Sequence, residues 1–175
     1  VLVEKPMALT IEDCDLMSDA VQRAGVQMVV GHSHSFDAPI SRTRALIANG
    51  DFGPVRMIQA VYYTDFVYRP RRAEEVQPAR GGGAVFNQAP HQMDIARLLG
   101  GGLVRSLRAT TGSWDRARPT DGAYAALLSF DNGAFASLSY SGYAHFDGDE
   151  FAGWIGESGR AKEPARKGHA RRALE

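Results

Sequence analysis

The stretch "VLVEKPMALTIEDCDLMSDAVQRAGVQMVVGH", Val1–His32, decides the reading of the fold. Val1–Val3 is an apolar run with the character of the end of a buried strand. Thr10 then offers a helix N-cap, with Asp13 three residues on as a variant of the capping box. Cys14, Met17, Val21 and Ala24 recur at spacings of three and four, which gives the helix one apolar face. Gly25 stops it, and "VQMVVGH" (26–32), rich in β-branched residues, makes a second strand. Strand, helix and strand in this order form a βαβ unit, which implies a parallel sheet and a right-handed crossover. A buried parallel strand needs neighbours on both sides. A chain that opens on "VLV" without Met therefore reads as a piece of a longer protein.

Further along, Asp37 can cap a helix whose first turn holds Pro39 and whose stop is Asn49–Gly50. After Gly53–Pro54 the texture changes. "VRMIQAVYYTDFVY" (55–68) is long, alternating and aromatic, and reads as a strand of a largely antiparallel sheet. Residues 69–83 are basic, then glycine-rich, and read as a loop. A helix is expected at about 88–99, ending at Gly100–Gly102. Strands are expected at 103–114, 122–130 and 133–143, the last two joined by "DNG" at 131–133, a hairpin turn signal. The pattern places the chain in the α/β class, with the boundary between its two textures near residues 36–54.

Composition sets wide bounds. The 175 residues are 44% hydrophobic and 23% charged, with zero net charge, so nothing overall points to nucleic acid or an anionic membrane. Residues 157–175 carry six Lys/Arg against three Glu and few apolar positions, which reads as a solvated, disordered basic tail. The single cysteine, Cys14, permits no internal disulfide and suits a reducing, cytoplasmic setting. Its place on the apolar helix face predicts a buried structural thiol. No apolar run has the length of a membrane span.

Four groups of residues could carry chemistry. In "GGGAVFNQAPHQMD" (81–94), Asn87 and His91 are four apart and share a helix face. With Asn87 as N-cap, His91 falls in the first turn, where the positive helix end favours a neutral imidazole. The pair is either a cap and a packed histidine or half of an active site. "EKP" (Glu4–Pro6) follows a parallel strand at the edge where α/β sheets bind ligands, and a lysine there can act as cation, proton donor or base. "GHSHSFD" sets His32 and His34 on one face of a strand, a metal-ligand spacing; otherwise one lines a polar cleft and the other is half exposed. Arg69, Arg71, Arg72 and Arg80 crowd one loop, either as a solvated face or as carboxylate-binding guanidiniums. No GxGxxG and no GxxxxGK[ST] occurs.

The segments "VLVEKPMALT", "VVGHSHSFDAP", "ANGDFGPVRMI" and "GGGAVFNQAPHQMDIARLLGG", in that order and covering about residues 1–156, resemble the Gfo/Idh/MocA family of NAD(P)-dependent oxidoreductases. The resemblance implies that residues 1–35 are the C-terminal remnant of a Rossmann dinucleotide-binding domain. Residues 36–156 would be an α/β substrate-binding and oligomerisation domain with an open sheet, and 157–175 the tail. It implies NAD or NADP as cofactor, with Glu4, Lys5 and Pro6 beside the nicotinamide and a cis Lys5–Pro6 peptide. It implies Lys5, His91 and Asn87 as catalytic residues. Asn87 stands where many members have Asp, so it would orient a hydroxyl rather than take a proton. Substrate contacts would come from His34, Arg69, Arg80, Asn87 and His91, with no metal. "GHSHSF", "YSGYAHFD" and the "YRPRR" loop resemble the phthalate dihydrodiol dehydrogenase branch, whose substrate is a carboxylated cyclohexadiene diol. The expected partners are a small-molecule substrate and further copies of the chain through the open sheet, with no nucleic acid or membrane. About three βα units, on the order of 90 residues at ~30 per unit, would precede Val1, and the second sheet would continue after Trp154.

Three alternatives stand beside this reading. One is a sugar or cyclitol dehydrogenase of the same family. Another is a metal-dependent hydrolase built on His32, His34 and His91. The third is a non-catalytic scaffold or sensor that kept the fold.

Overall fold

The computed structural model describes residues 1–164 and 172–173. Strand β1 (Leu2–Glu4), helix α1 (Ile11–Ala24) and strand β2 (Val29–Gly31) form the expected βαβ unit, with β1 and β2 parallel in the register Leu2–Val29, Val3–Val30, Glu4–Gly31. The local signals act as read. The Thr10 hydroxyl accepts the Asp13 N–H at 3.1 Å, and Gly25 closes the helix at φ 63°, a left-handed conformation that glycine adopts without strain.

Helix α1 contains no buried residue. Cys14 is half exposed rather than buried, because two strands cover too little of the apolar face on which it sits. Val1, Leu2, Ile11, Leu16 and Val29 are exposed on the same unit. Strand β2 stops at Gly31, and a short 3₁₀ turn, Ser33–Phe36, follows. His32 and His34 therefore do not share a strand face, which removes the geometric basis of the metal-ligand spacing.

Helix α2 (Ala38–Asn49) has Pro39 in its first turn and Gly50 at its stop, φ 83°. The Asp37 side chain makes no capping bond there.

The second sheet has the order β3–β6–β5–β4, from β3 (Met57–Tyr63), β4 (Val104–Gly112), β5 (Ala123–Phe130) and β6 (Phe135–Ser141). The β4–β5 and β5–β6 pairs are antiparallel and β3–β6 is parallel. The "DNG" turn forms as read. Gly133 takes φ 85°, and the Asn132 side chain both accepts the Ala134 N–H at 3.0 Å and donates to Gly100 O at 2.7 Å.

Strand β3 ends five residues earlier than expected. Thr64 Oγ1 accepts the Phe66 N–H at 3.1 Å and shares a 2.9 Å hydrogen bond with the Tyr140 hydroxyl. That turn sends Phe66 and Val67 into the core beside Ala84, Tyr124, Tyr140 and Tyr143.

Helix α3 (Gly83–Gly100) covers one face of this sheet. Met93 and Ala96 pack on Leu128, Phe130, Ala136 and Leu138. The helix begins five residues before the expected start because its cap is supplied from far along the chain. Asp121 accepts the Ala84 N–H with its main-chain oxygen at 2.8 Å and the Val85 N–H with its carboxylate at 2.6 Å. Asn87 is consequently inside the helix and not its N-cap, and Pro90 sits mid-helix. The proline lacks the N–H that would bond the Phe86 carbonyl, a loss that weakens the helix at that turn.

The segment expected as a tail from 157 onward is tied to the body at its start. Gly156 N–H donates to Arg160 O at 2.8 Å, and Lys162 Nζ donates to the buried carboxylates of Asp147 and Asp149 at 2.6 and 3.0 Å. The rest of the expected tail, at 165–171 and 174–175, lies outside the described residues. Among the described residues no helix is long and apolar enough to cross a membrane.

Candidate active site

Two elements far apart in the chain meet here. Lys5 leaves the C-terminal end of β1, and its Nζ donates to the main-chain oxygen of Asn87 at 2.7 Å. That carbonyl belongs to the helical turn that contains Pro90, one turn before His91. The Lys5–Pro6 peptide is cis. The lysine spends one of its three donors on this carbonyl.

Burial lowers the Lys5 pKa. The Glu4 carboxylate pulls against that shift, and the Arg71 charge adds to it. His91 is pushed down to about 4, first by burial, then by the charges of His34, Lys5 and His32. A neutral imidazole, expected from a helix N-terminus, is thus favoured here by a different cause. His91 is mid-helix, and burial among cationic neighbours keeps it unprotonated.

The His91 ring tilts against His34, with centroids 3.9 Å apart and planes at 49°. His34 Nδ1 in turn lies 3.4 Å from both Asp37 Oδ2 and Glu157 Oε2. His91 Nδ1 is buried without a hydrogen-bond partner, so an imidazole edge stands ready for a ligand or a proton. A cavity of about 180 Å³ opens beside the pair, with Tyr62, Gln88, Gln92 and Glu157 among its lining side chains. Gln92 accepts the Tyr124 hydroxyl at 2.9 Å, which orients its amide.

The Asn87 amide donates to Gly83 O at 2.9 Å. Its side-chain oxygen is the part suited to receive a hydroxyl hydrogen. His32 lines a separate cavity with Ser35, Phe36 and Asp94, and its Nδ1 is also buried without a hydrogen-bond partner. Among the described residues no group of three or more His, Cys, Asp or Glu side chains could hold a metal ion.

The arginines separate. Arg69 donates through Nε to Asp65 Oδ1 at 2.5 Å and lines a cleft of about 610 Å³ together with Arg71 and Arg118. Arg80 ends the Pro78–Arg80 turn, is exposed and does not line that cleft, so the structure does not bring it together with Arg69. The sequence gives no means to rank Arg71 over Arg80, since both are arginines in one polar loop. Arg118 follows "SWDRA", some forty residues from that loop, and no local pattern links it to the other two. Glu157 lies in the segment expected as a tail, and no local pattern ties it to His34.

Glu4, Lys5 and Pro6 lie where the parallel strand β1 ends, and they fit the nicotinamide end of a dinucleotide in their chemistry. An ammonium with donors to spare and a carboxylate acceptor flank a site already holding a neutral imidazole. The glycine-rich runs GxGxxG and GxxxxGK[ST], which would cradle a pyrophosphate, do not occur in the sequence.

Comparison with known proteins places these features in context. The profile of the GFO/IDH/MocA C-terminal domain matches residues 40–162. A 1-carboxy-3-chloro-3,4-dihydroxycyclohexa-1,5-diene dehydrogenase from Comamonas testosteroni is 57% identical over 167 residues, covering 95% of this chain and 42% of that protein. The scyllo-inositol 2-dehydrogenase (NAD(+)) of Bacillus subtilis is 30% identical over 108 residues, 61% of this chain and 30% of its own length. The crystal structure of a candidate dehydrogenase from Bordetella bronchiseptica RB50 superposes with a TM-score of 0.91 at 47% identity, covering 99% of this chain and 45% of that one. The chain spans less than half the length of these relatives.

Proposed function

Since this chain belongs to the GFO/IDH/MocA family, we propose that it carries the catalytic part of an NAD(P)-dependent dehydrogenase acting on a carbinol carbon of a cyclic diol. The substrate class is a carboxylated cyclohexadiene diol. One observation carries this reading: an amine and an imidazole, both of lowered basicity, converge on the same turn of α3. The 57% identity to a dehydrogenase named for a carboxylated dihydroxycyclohexadiene supports the substrate class.

Residues 1–35 are then the end of a dinucleotide-binding domain, and 36–156 the substrate domain. A bound nicotinamide would accept the hydride, with Glu4, Lys5 and Pro6 at its edge. Lys5 hydrogen-bonds the carbinol oxygen and draws off its proton as the carbon is oxidised. The lowered Lys5 pKa makes this proton exchange easier near neutral pH. His91, neutral and buried, receives or passes on that proton, and His34 backs it through the ring contact. The Asn87 side-chain oxygen fixes the neighbouring hydroxyl. Arg69 borders the substrate; Arg80 does not. In the open-sheet domain, the face turned away from α3 is the surface through which copies of the chain associate.

The test is NAD⁺ and NADP⁺ reduction by the full-length gene product with a carboxylated cyclohexadiene cis-diol, its uncharged counterpart and inositols. Turnover of the carboxylated diol is expected. A preference for inositols or sugars would overturn the substrate class in favour of the cyclitol reading, which the inositol dehydrogenase relative makes the natural competitor.

A further inference from the structure

The cleft beside residues 67–79 is chemically unlike the histidine cavity. Its walls include Val67, Val76 and Pro119, and three guanidiniums reach it, from Arg69, Arg71 and Arg118. Arg71 is the least comfortable of the three. Its Cζ lies 4.2 Å above the Phe66 ring, its side chain is 21% exposed, and its Nε is buried with no hydrogen-bond partner. The carboxylate paired with it, Glu75, is 3.7 Å from Arg71 Nη1 through Oε1, beyond hydrogen-bond reach, while Glu75 Oε2 accepts the Arg72 N–H at 2.8 Å. A buried guanidinium donor without an acceptor is costly unless a ligand supplies one. Arg118 sits 5.2 Å from the Tyr68 ring centroid and meets Asp115 at 3.3 Å through one nitrogen. Arg69 uses its Nε on Asp65. Each guanidinium has five N–H donors, so each keeps an edge for an incoming anion.

The cleft is also next to the reacting groups. Leu9, four residues after Lys5, packs so closely on Gly81 that a Cβ there would come within 2.6 Å of Leu9 Cδ2. The segment after β1 therefore lies along the loop that carries the arginines. Arg71 is near enough for its charge to act on Lys5.

We propose that this cleft is a carboxylate-recognition subsite, in which Arg71 and Arg118 bind the ring carboxylate of the substrate while the apolar wall of Val67, Val76 and Pro119 takes the ring edge. The inference rests on the dehydrogenase reading for the identity of the ring, but the anion site stands on its own geometry. A planar fork over an aromatic face suits a carboxylate held in one orientation, and the apolar wall suits an arene acid better than a phosphate.

The experiment uses Arg71→Gln and Arg118→Gln in the full-length gene product, with Arg80→Gln as a control of equal charge change outside the cleft. Two readouts are needed. In the first, benzoate and inorganic phosphate are titrated calorimetrically against the protein without cofactor. Benzoate is expected to bind, to weaken about tenfold or more in each cleft variant, the scale of one lost charge-assisted hydrogen bond, and to be unchanged in Arg80→Gln. In the second, KM for the carboxylated diol should rise by a similar factor with kcat nearly constant, while KM for the uncharged diol stays put. Arg118 is the more exposed of the pair, so its variant serves if Arg71→Gln fails to fold. Benzoate affinity equal in wild type and both variants, or tighter phosphate than benzoate binding, overturns the subsite even where diols are oxidised. Arginine-dependent benzoate binding without diol oxidation keeps the subsite and removes the dehydrogenase reading.

Discussion

Lys5 Nζ rests 2.7 Å from the main-chain oxygen of Asn87, across 82 residues of sequence. The contact places a strand-edge amine on the helical turn that precedes His91. Burial lowers both pKa values, and the Lys5 charge adds to the lowering at His91. If these are the proton-handling groups, Lys5→Ala and His91→Ala in the full-length gene product each reduce kcat by ~10²-fold or more, the usual scale for losing an acid/base group. Steady-state rates of nicotinamide reduction measure this. A variant with near-normal turnover would remove its residue from the mechanism.

The His91 shift has a pH signature. The unfolded chain titrates this imidazole near 6.5, whereas the folded site holds it to about 4. Between those values the unfolded state binds more protons, so stability is full above pH 6.5 and falls as the pH drops toward 4. Thermal melts across that interval should show the decline, and His91→Gln should flatten it. The acid limb of kcat/KM belonging to His91 should lie well below 6.5 and move upward in His34→Gln, because the His34 charge is the second cause of the shift. An acid limb unmoved by both substitutions would assign it to another group.

Much of this architecture can be read locally. Thr10, Gly25, Gly50 and the Asp131–Gly133 turn act through neighbours within a few residues, so their signals survive in the sequence. That Lys5 and Asn87, 82 residues apart, lie together is carried by the order of the motifs and not by any local spacing. What escaped depends on distant partners. The start of α3 is set by Asp121, 36 residues beyond Val85, and no local cap announces it. The end of β3 is set by Thr64 bonding Tyr140. Glu157 meets His34 only once the chain is folded. Arg71 differs from Arg80 in its burial over Phe66, a tertiary property that a basic loop does not display.

Asp121 should matter for stability more than its place in a loop suggests. Its carboxylate caps α3 at Val85, and Gly83, at φ 81°, leaves room for it, since a Cβ there would overlap that carboxylate. Asp121→Ala is expected to cost about 1–2 kcal/mol, the range for a lost N-cap. Gly83→Ala should cost at least as much, because it combines a left-handed backbone with steric conflict. Urea unfolding midpoints read both. Loss of less than a few tenths of a kcal/mol in Asp121→Ala would mean that water or the main chain replaces the cap.

The sheet face turned away from α3 sets the last prediction. Alternation along β3, β5 and β6 sends Ala126, Leu128, Ala136 and Leu138 into the core and leaves Val61, Leu127 and Phe135 outward, 41%, 49% and 42% exposed. Met57 joins them, paired in register with Phe135. Small Ser and Ala side chains at 125, 137 and 139 keep the face flat between these apolar positions. A flat, partly apolar sheet surface of this kind favours a second protein surface over water. If copies of the chain meet there, Leu127→Arg places a charge at the centre of the contact, whose desolvation disfavours association. Light scattering on the full-length gene product should then show a shift to smaller species, with the fold intact by circular dichroism. The same oligomer in wild type and Leu127→Arg would move the contact to another surface.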